Sequence, residues 1–151
     1  MFRCTFLLNG EPMSALKMTA FSFPAFSGLG GSVNRKSAAC SPGHGPIPPG
    51  AYFIVDRQSG GRLGPLLDKW TGRTEWFALY AADGRIDDEA WCDAVLRGSF
   101  RLHPKGPRGI SQGCVTLDQQ ADFNHLRAVL RSVKPTTVGD GLAAYGVLGV
   151  A

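Results

Sequence analysis

The feature that most constrains the fold of this chain is its punctuation: apolar, aromatic and β-branched residues come in short runs, and glycine or proline falls between the runs. Twenty Gly and ten Pro in 151 residues leave little room for long helices, because proline removes a backbone donor and glycine loses the most conformational freedom on ordering. The two residue types follow no repeat, and 44% of the chain is hydrophobic, which excludes collagen-like or disordered classes. One compact domain over residues 1–151 is expected.

Residues 2–8 read as a strand, and Asn9-Gly10 is a strong hairpin signal leading into a second strand over 13–23. Residues 24–50 are rich in Gly, Ser and Pro without a period that buries a face; they read as a long loop, functional or mobile. Two β-branched and aromatic runs, 51–56 and 75–80, predict central strands. Asp87 or Asp88 is placed to cap a short helix through Ala90, Trp91, Val95 and Leu96, ended by Gly98. Strands over 99–103 and 114–117 follow. Asp118 then precedes a helix with Phe123, Leu126, Val129, Leu130 and Val133 on one face, stopped by Pro135. The apolar tail 142–150 predicts a final buried strand, giving a mainly β domain with two short helices.

Charge and cysteines narrow the function classes. The net charge of +4 and pI near 9.1 favour polyanions, yet the Lys and Arg residues are scattered and only Arg35-Lys36 are adjacent, so no nucleic-acid partner is expected. No run of 18 apolar residues suits a membrane span. The alternating first twelve residues lack the apolar core of a secretory signal, so the expectation is synthesis in the cytoplasm without a signal peptide. Cys4, Cys40, Cys92 and Cys114 contain no close Cys-x-x-Cys pair, which argues against a zinc ribbon. The thiols are expected to be reduced during synthesis, with any bridge forming in an oxidising compartment. Cys4, in a strand, and Cys92, in the expected helix, read as buried or bridged, and Cys40, in the loop, is able to pair with either. His44 and His125 have no second ligand at metal spacing, so neither a metal nor a cofactor is implied. Trp70, Trp76 and Trp91 read as core or groove wall.

The chemistry concentrates in residues 100–117. His103 ends one strand, Cys114 begins the next, and between them lies a loop with prolines and glycines that allows the two strands to lie side by side. A free thiol is mostly protonated at neutral pH, and an imidazole beside it accepts the proton or stabilises the thiolate as imidazolium. This is the pairing of a nucleophile with its base. Gly113 permits close backbone approach, so that the amides around Gly113 and Cys114 can donate to the oxyanion of a tetrahedral intermediate. Ser111 either orients the turn or touches substrate.

His103, the Gly-rich loop and Ser111-Gln112-Gly113-Cys114 resemble the signature of the L,D-transpeptidase (YkuD-like) catalytic domain, and more closely its type VI secretion effector branch. Gly45-Pro46-Ile47-Pro48-Pro49-Gly50-Ala51-Tyr52, the aromatic run Trp76-Phe77-Ala78-Leu79-Tyr80 and the acidic turn Asp83 to Asp88 extend the resemblance over roughly residues 45 to 117. It implies a β-sandwich catalytic domain, Cys114 as nucleophile, His103 as base, and peptidoglycan tetrapeptide stems as substrate. It further implies action in the periplasm of a target cell, an immunity protein in the producer, and a secretion spike or adaptor as partner. Gln112 and Thr116 stand where housekeeping members carry His and Arg, which leaves the substrate carboxylate to Arg101, Lys105 or Arg108. Gln112 and Tyr52 are further candidates for substrate contact. Two rival readings are an NlpC/P60-like cysteine peptidase, in which the cysteine precedes its histidine and opens a helix, and a noncatalytic cell-wall binding module with a structural Cys114.

Overall fold

The structure, a computed structural model, describes residues 1–57, 75–139 and 141–151; Trp70 lies outside them. Eleven strands are described: β1 (Phe2–Phe6), β2 (Ser14–Met18), β3 (Phe21–Phe26), β4 (Gly50–Asp56), β5 (Phe77–Ala81), β6 (Glu89–Cys92), β7 (Val95–Gly98), β8 (Arg101–Pro104), β9 (Val115–Leu117), β10 (Thr136–Val138) and β11 (Leu142–Val150). A single α-helix is described, α1 (Gln120–Arg131).

Nine strands form one sheet in the order β1-β2-β3-β9-β8-β5-β4-β11-β10, and β1 also pairs with β11. The second pairing closes eight strands into a barrel-like ring with β10 appended, which corrects the expected sandwich. Closure satisfies the backbone groups that two open sheets would leave at their edges. It depends on a parallel pairing between the two ends of the chain, Phe2 opposite Gly146 through Phe6 opposite Val150. Gly146 makes the approach possible: a Cβ there would stand 3.0 Å from the Phe2 carbonyl oxygen and 3.4 Å from Ile54.

The strand runs are placed largely as the patterning implies. The opening strand pairs antiparallel with its successor, but Phe6 faces Leu16, so the connection around Asn9-Gly10 is longer than a two-residue turn. Residues 13–23 are not one strand but the hairpin β2–β3, turning at Thr19, whose φ is 51°. The segment after β3 is pinned rather than loose. Asn34 accepts from the Ser27 amide at 2.9 Å and donates to the Glu11 carbonyl at 2.8 Å, and the Ser27 hydroxyl accepts from the Ile47 amide at 2.8 Å. It also holds two 3-10 turns, Gly30–Ser32 and Lys36–Ala38.

The helix expected between Asp87 and Gly98 is instead the two-stranded hairpin β6–β7. Its apolar residues fit helical spacing, but Asp93 and Ala94 both take positive φ, 46° and 62°, the backbone of a tight hairpin turn. The Cys40–Cys92 disulfide ties this hairpin to the long loop, resolving the partner of Cys40. Its sequence separation of 52 corresponds to about 4 kcal/mol of lost unfolded-state entropy in the chain-entropy model. Trp91 is neither core nor groove wall: it is 68% exposed.

Helix α1 buries Phe123, Leu126 and Leu130 in the same core as the strands, as its periodicity implies. Val133 falls beyond its end and is exposed. Asp118 does not cap it: Gln119 is the N-cap residue, and the Asp118 carboxylate turns to Lys105 at 3.1 Å and to Gln119 Nε2 at 2.9 Å.

Candidate active site

Strands β8 and β9 lie side by side and parallel, with Leu102 opposite Val115, His103 opposite Thr116 and Pro104 opposite Leu117. Side chains alternate across a strand, so the register decides which residues share a face. Leu102, Val115 and Leu117 enter the core. Arg101, His103 and Thr116 take the opposite face, and Cys114, the residue before β9, continues that alternation. The side-by-side arrangement inferred from the loop is therefore present: the histidine and cysteine strands are neighbours, and Cys114, level with Arg101, falls two residue pairs from His103 along the ladder.

His103 is buried and stacked on Trp76, with ring centroids 4.2 Å apart and planes 18° from parallel. Its Nδ1 lies 2.8 Å from the Pro104 carbonyl oxygen. An oxygen acceptor there assigns the proton to Nδ1, so Nδ1–H donates and Nε2 carries the lone pair. Nε2 faces the Thr116 hydroxyl oxygen at 3.4 Å. The backbone thus holds the imidazole in the tautomer that a general base requires.

Cys114 is half-buried, and one of the chain's two free cysteines among the described residues; the other, Cys4, is buried in the core. Burial pushes the Cys114 thiol above its ordinary range, while a hydrogen bond from the Arg101 backbone and the Arg101 charge pull it partly back and the Asp88 carboxylate opposes them. The balance favours the neutral thiol, so nucleophilic chemistry at Cys114 would require a base. Cys4 is pushed up to about 12 by burial alone, which removes it from nucleophilic chemistry.

The turn before Cys114 is tightly specified. Gly113 has φ 95°, and a Cβ there would stand 2.8 Å from an Arg97 guanidinium nitrogen and 3.0 Å from the Phe100 ring. The buried Ser111 hydroxyl donates to the Cys114 carbonyl at 2.7 Å and so braces the turn.

The candidates for substrate contact are distributed differently. Arg101 grips Asp88 with both terminal nitrogens at 2.6 Å and also donates to the Phe100 carbonyl at 2.8 Å, so its fork is already filled. Tyr52 is 2% exposed, donates to the Pro48 carbonyl at 2.8 Å and meets Phe100 edge-on: it occupies a packing position. Arg108 is exposed and lines a cleft of about 720 Å³ together with Trp76, His103, Lys105, Phe123 and Asn124. His103 forms part of its wall, whereas Cys114 lies outside it. Gln112 is exposed at a separate depression of about 330 Å³ beside Asp88 and Ser99. His44 is exposed in the long loop, and His125 lies against Phe21 with centroids 4.7 Å apart.

Sequence reasoning missed three participants. Asp88 reads locally as a helix cap, and only its pairing with Arg101, thirteen residues on, reveals its place beside the thiol. Thr116 reads as a departure from a motif, and the ladder sets it beside the imidazole. Arg97 carries no sequence signal beyond its charge.

Residues 22–140, well over half of the chain, match the family model of the Tlde1 domain. No curated protein and no solved structure matches the chain. The chain therefore belongs to the Tlde1 domain family, a family of type VI secretion effectors.

Proposed function

We propose that this effector is a cysteine-dependent peptidoglycan enzyme acting on tetrapeptide stems, in which Cys114 is the nucleophile and His103 its base. The observation that carries the reading is the imidazole itself: Nδ1 is tied to the Pro104 carbonyl, leaving Nε2 as the basic nitrogen on the strand beside Cys114.

The thiol gives its proton to Nε2, and the thiolate attacks the carbonyl of the L-centre that is joined to the terminal D-residue. Negative charge collects on the carbonyl oxygen, where the backbone amides around Gly113 and Cys114 donate. As the C–N bond breaks, the imidazolium returns its proton to the departing amine. A thioester remains on Cys114. Water resolves it to a tripeptide stem, an L,D-carboxypeptidase outcome; the amine of a D-amino acid resolves it to an exchanged tetrapeptide, an L,D-transpeptidase outcome. Either depletes the tetrapeptides available for cross-linking, consistent with an antibacterial toxin. With Arg101 held by Asp88, the exposed Arg108 is the better-placed contact for the stem's carboxylate, and Gln112 borders a separate depression beside Asp88 and Ser99. In this reading the protein is made in the producer's cytoplasm, carried by a spike or adaptor, acts in the target's periplasm and is countered by an immunity protein.

An NlpC/P60-like peptidase fits less well, because Cys114 opens a strand and follows its histidine in the chain. The deciding experiment incubates purified protein, and Cys114→Ala, with disaccharide tetrapeptide and weighs the products. Loss of the terminal D-Ala, or its replacement by an added D-amino acid, is expected only with Cys114 present. Unchanged substrate at neutral pH with Cys114 free would favour the noncatalytic cell-wall module.

A further inference from the structure

Arg97 lies at the join between two parts of the molecule that the proposed chemistry does not otherwise connect. It sits on β7, buried, and its guanidinium donates to the carbonyl oxygens of Ala39, Gly45 (3.1 Å) and Pro46 (3.5 Å). All three belong to the long loop. The same loop is held covalently to the same hairpin, because Cys40 is bridged to Cys92 on β6. The guanidinium also lies over the Phe100 ring at 5.5 Å and against the Cα of Gly113, where an added Cβ would meet it at 2.8 Å. Gly113 is the residue before the nucleophile.

A buried guanidinium is tolerated only where its charge and its donors are met by fixed partners. Here carbonyl oxygens meet them, and these stay convergent only while the loop carrying them is ordered. The bridge from Cys40 lies inside the span from Ala39 to Pro46 and constrains that loop. Without it, exposed Ser41, Pro42 and Gly43 recover conformational freedom and the convergence of the three carbonyls is less populated.

We propose that Arg97 is a positioning residue for the Gly113–Cys114 turn, and that the Cys40–Cys92 disulfide, by holding the carbonyl cradle of Arg97, makes the reactivity of Cys114 depend on oxidation. The inference rests on the reading of Cys114 as the nucleophile and adds a control to it. The step balances as thiol–disulfide exchange: the two thiols lose two protons and two electrons to a low-molecular-weight disulfide such as oxidised glutathione, which leaves as two thiols. In a reducing cytoplasm the turn is poorly held and the thiol is slow; in an oxidising periplasm the clamp closes and the nucleophile is set.

The test compares bridged wild type, fully reduced wild type, Cys40→Ser/Cys92→Ser, Arg97→Met and Arg97→Lys. Two readouts are taken: the rate at which iodoacetamide modifies Cys114, resolved by peptide mass, and the turnover of disaccharide tetrapeptide. Circular dichroism verifies that each protein is folded at the assay temperature. Opening the bridge, by reduction or by the double substitution, is expected to slow Cys114 at least about fivefold, the lower end of typical coupling between sites. Arg97→Met is expected to be slow in either redox state. Arg97→Lys keeps a donor for the loop carbonyls and recovers part of the rate and its redox response, a rescue that loss of packing alone would not produce. Equal Cys114 rates in folded bridged and unbridged protein would overturn the proposal, as would an Arg97→Met variant at the wild-type rate. If the double variant does not fold, reduced wild type held below its melting temperature decides the matter. Redox-dependent modification without turnover of any peptide supports this proposal and counts against the substrate reading alone.

Discussion

Alanine at Gly113 probes the turn that sets Cys114, the proposed nucleophile, and its effect can be worked from two independent costs. With φ at 95°, the backbone lies where an L side chain is strained, about 1–2 kcal/mol. The new methyl group would also meet an Arg97 guanidinium nitrogen at 2.8 Å and the Phe100 ring at 3.0 Å. Arginine ends ordinarily swing aside at little cost, but this one is anchored on loop carbonyls and Phe100 is buried, so neither neighbour yields freely. Overpacking of this kind costs about 1–3 kcal/mol. The sum, about 2–5 kcal/mol, corresponds to a fall in melting temperature of about 4–20 °C for a domain of this size. Thermal unfolding measures the first effect; the iodoacetamide rate at Cys114, taken well below the melting temperature, measures the displacement of the turn. A variant melting within about 2 °C of wild type, with an unchanged Cys114 rate, would refute the argument that this backbone admits only glycine.

Three further outcomes follow from the site and its surroundings. His103→Ala is expected to slow modification of Cys114 at neutral pH by at least about tenfold and to move the rise of the pH–rate curve to the alkaline side, because burial holds the unassisted thiol above its ordinary range; superimposable curves would remove His103 as the base. Cys4 has a folded value raised to about 12 against an ordinary value near 8.5, so its contribution to stability is complete below the ordinary value and is lost as the pH climbs through the folded one. Denaturant unfolding of wild type should therefore weaken over that alkaline window, and Cys4→Ala should weaken less; equal slopes would contradict the burial effect. Arg108→Ala, exposed at the cleft beside His103, is expected to raise KM for tetrapeptide stems while leaving the melting temperature unchanged, and an unaltered KM would remove it as the carboxylate contact.

Local pattern alone determined a good deal. The β-branched and aromatic run of β4, the apolar tail of β11 and the spacing of Phe123, Leu126 and Leu130 each favour one backbone period, and each element forms where its pattern lies. The spacing of His103 and Cys114 around a Gly- and Pro-rich loop likewise allowed two adjacent strands, and the ladder has them adjacent. Where a pattern fits two periods, tertiary contacts decided. Ala90, Trp91, Val95 and Leu96 satisfy a helix as well as a hairpin, and the disulfide to Cys40 together with the carbonyl partners of Arg97 accompany the hairpin. Ring closure by β1 and β11, the filling of Arg101 by Asp88 and the approach of Thr116 to His103 all join residues that carry no mutual signal along the chain. The physical reason is range: backbone preference and amphipathic period act within a few residues, whereas edge pairing, charge pairing and disulfide choice are fixed only when distant segments share one packed interior.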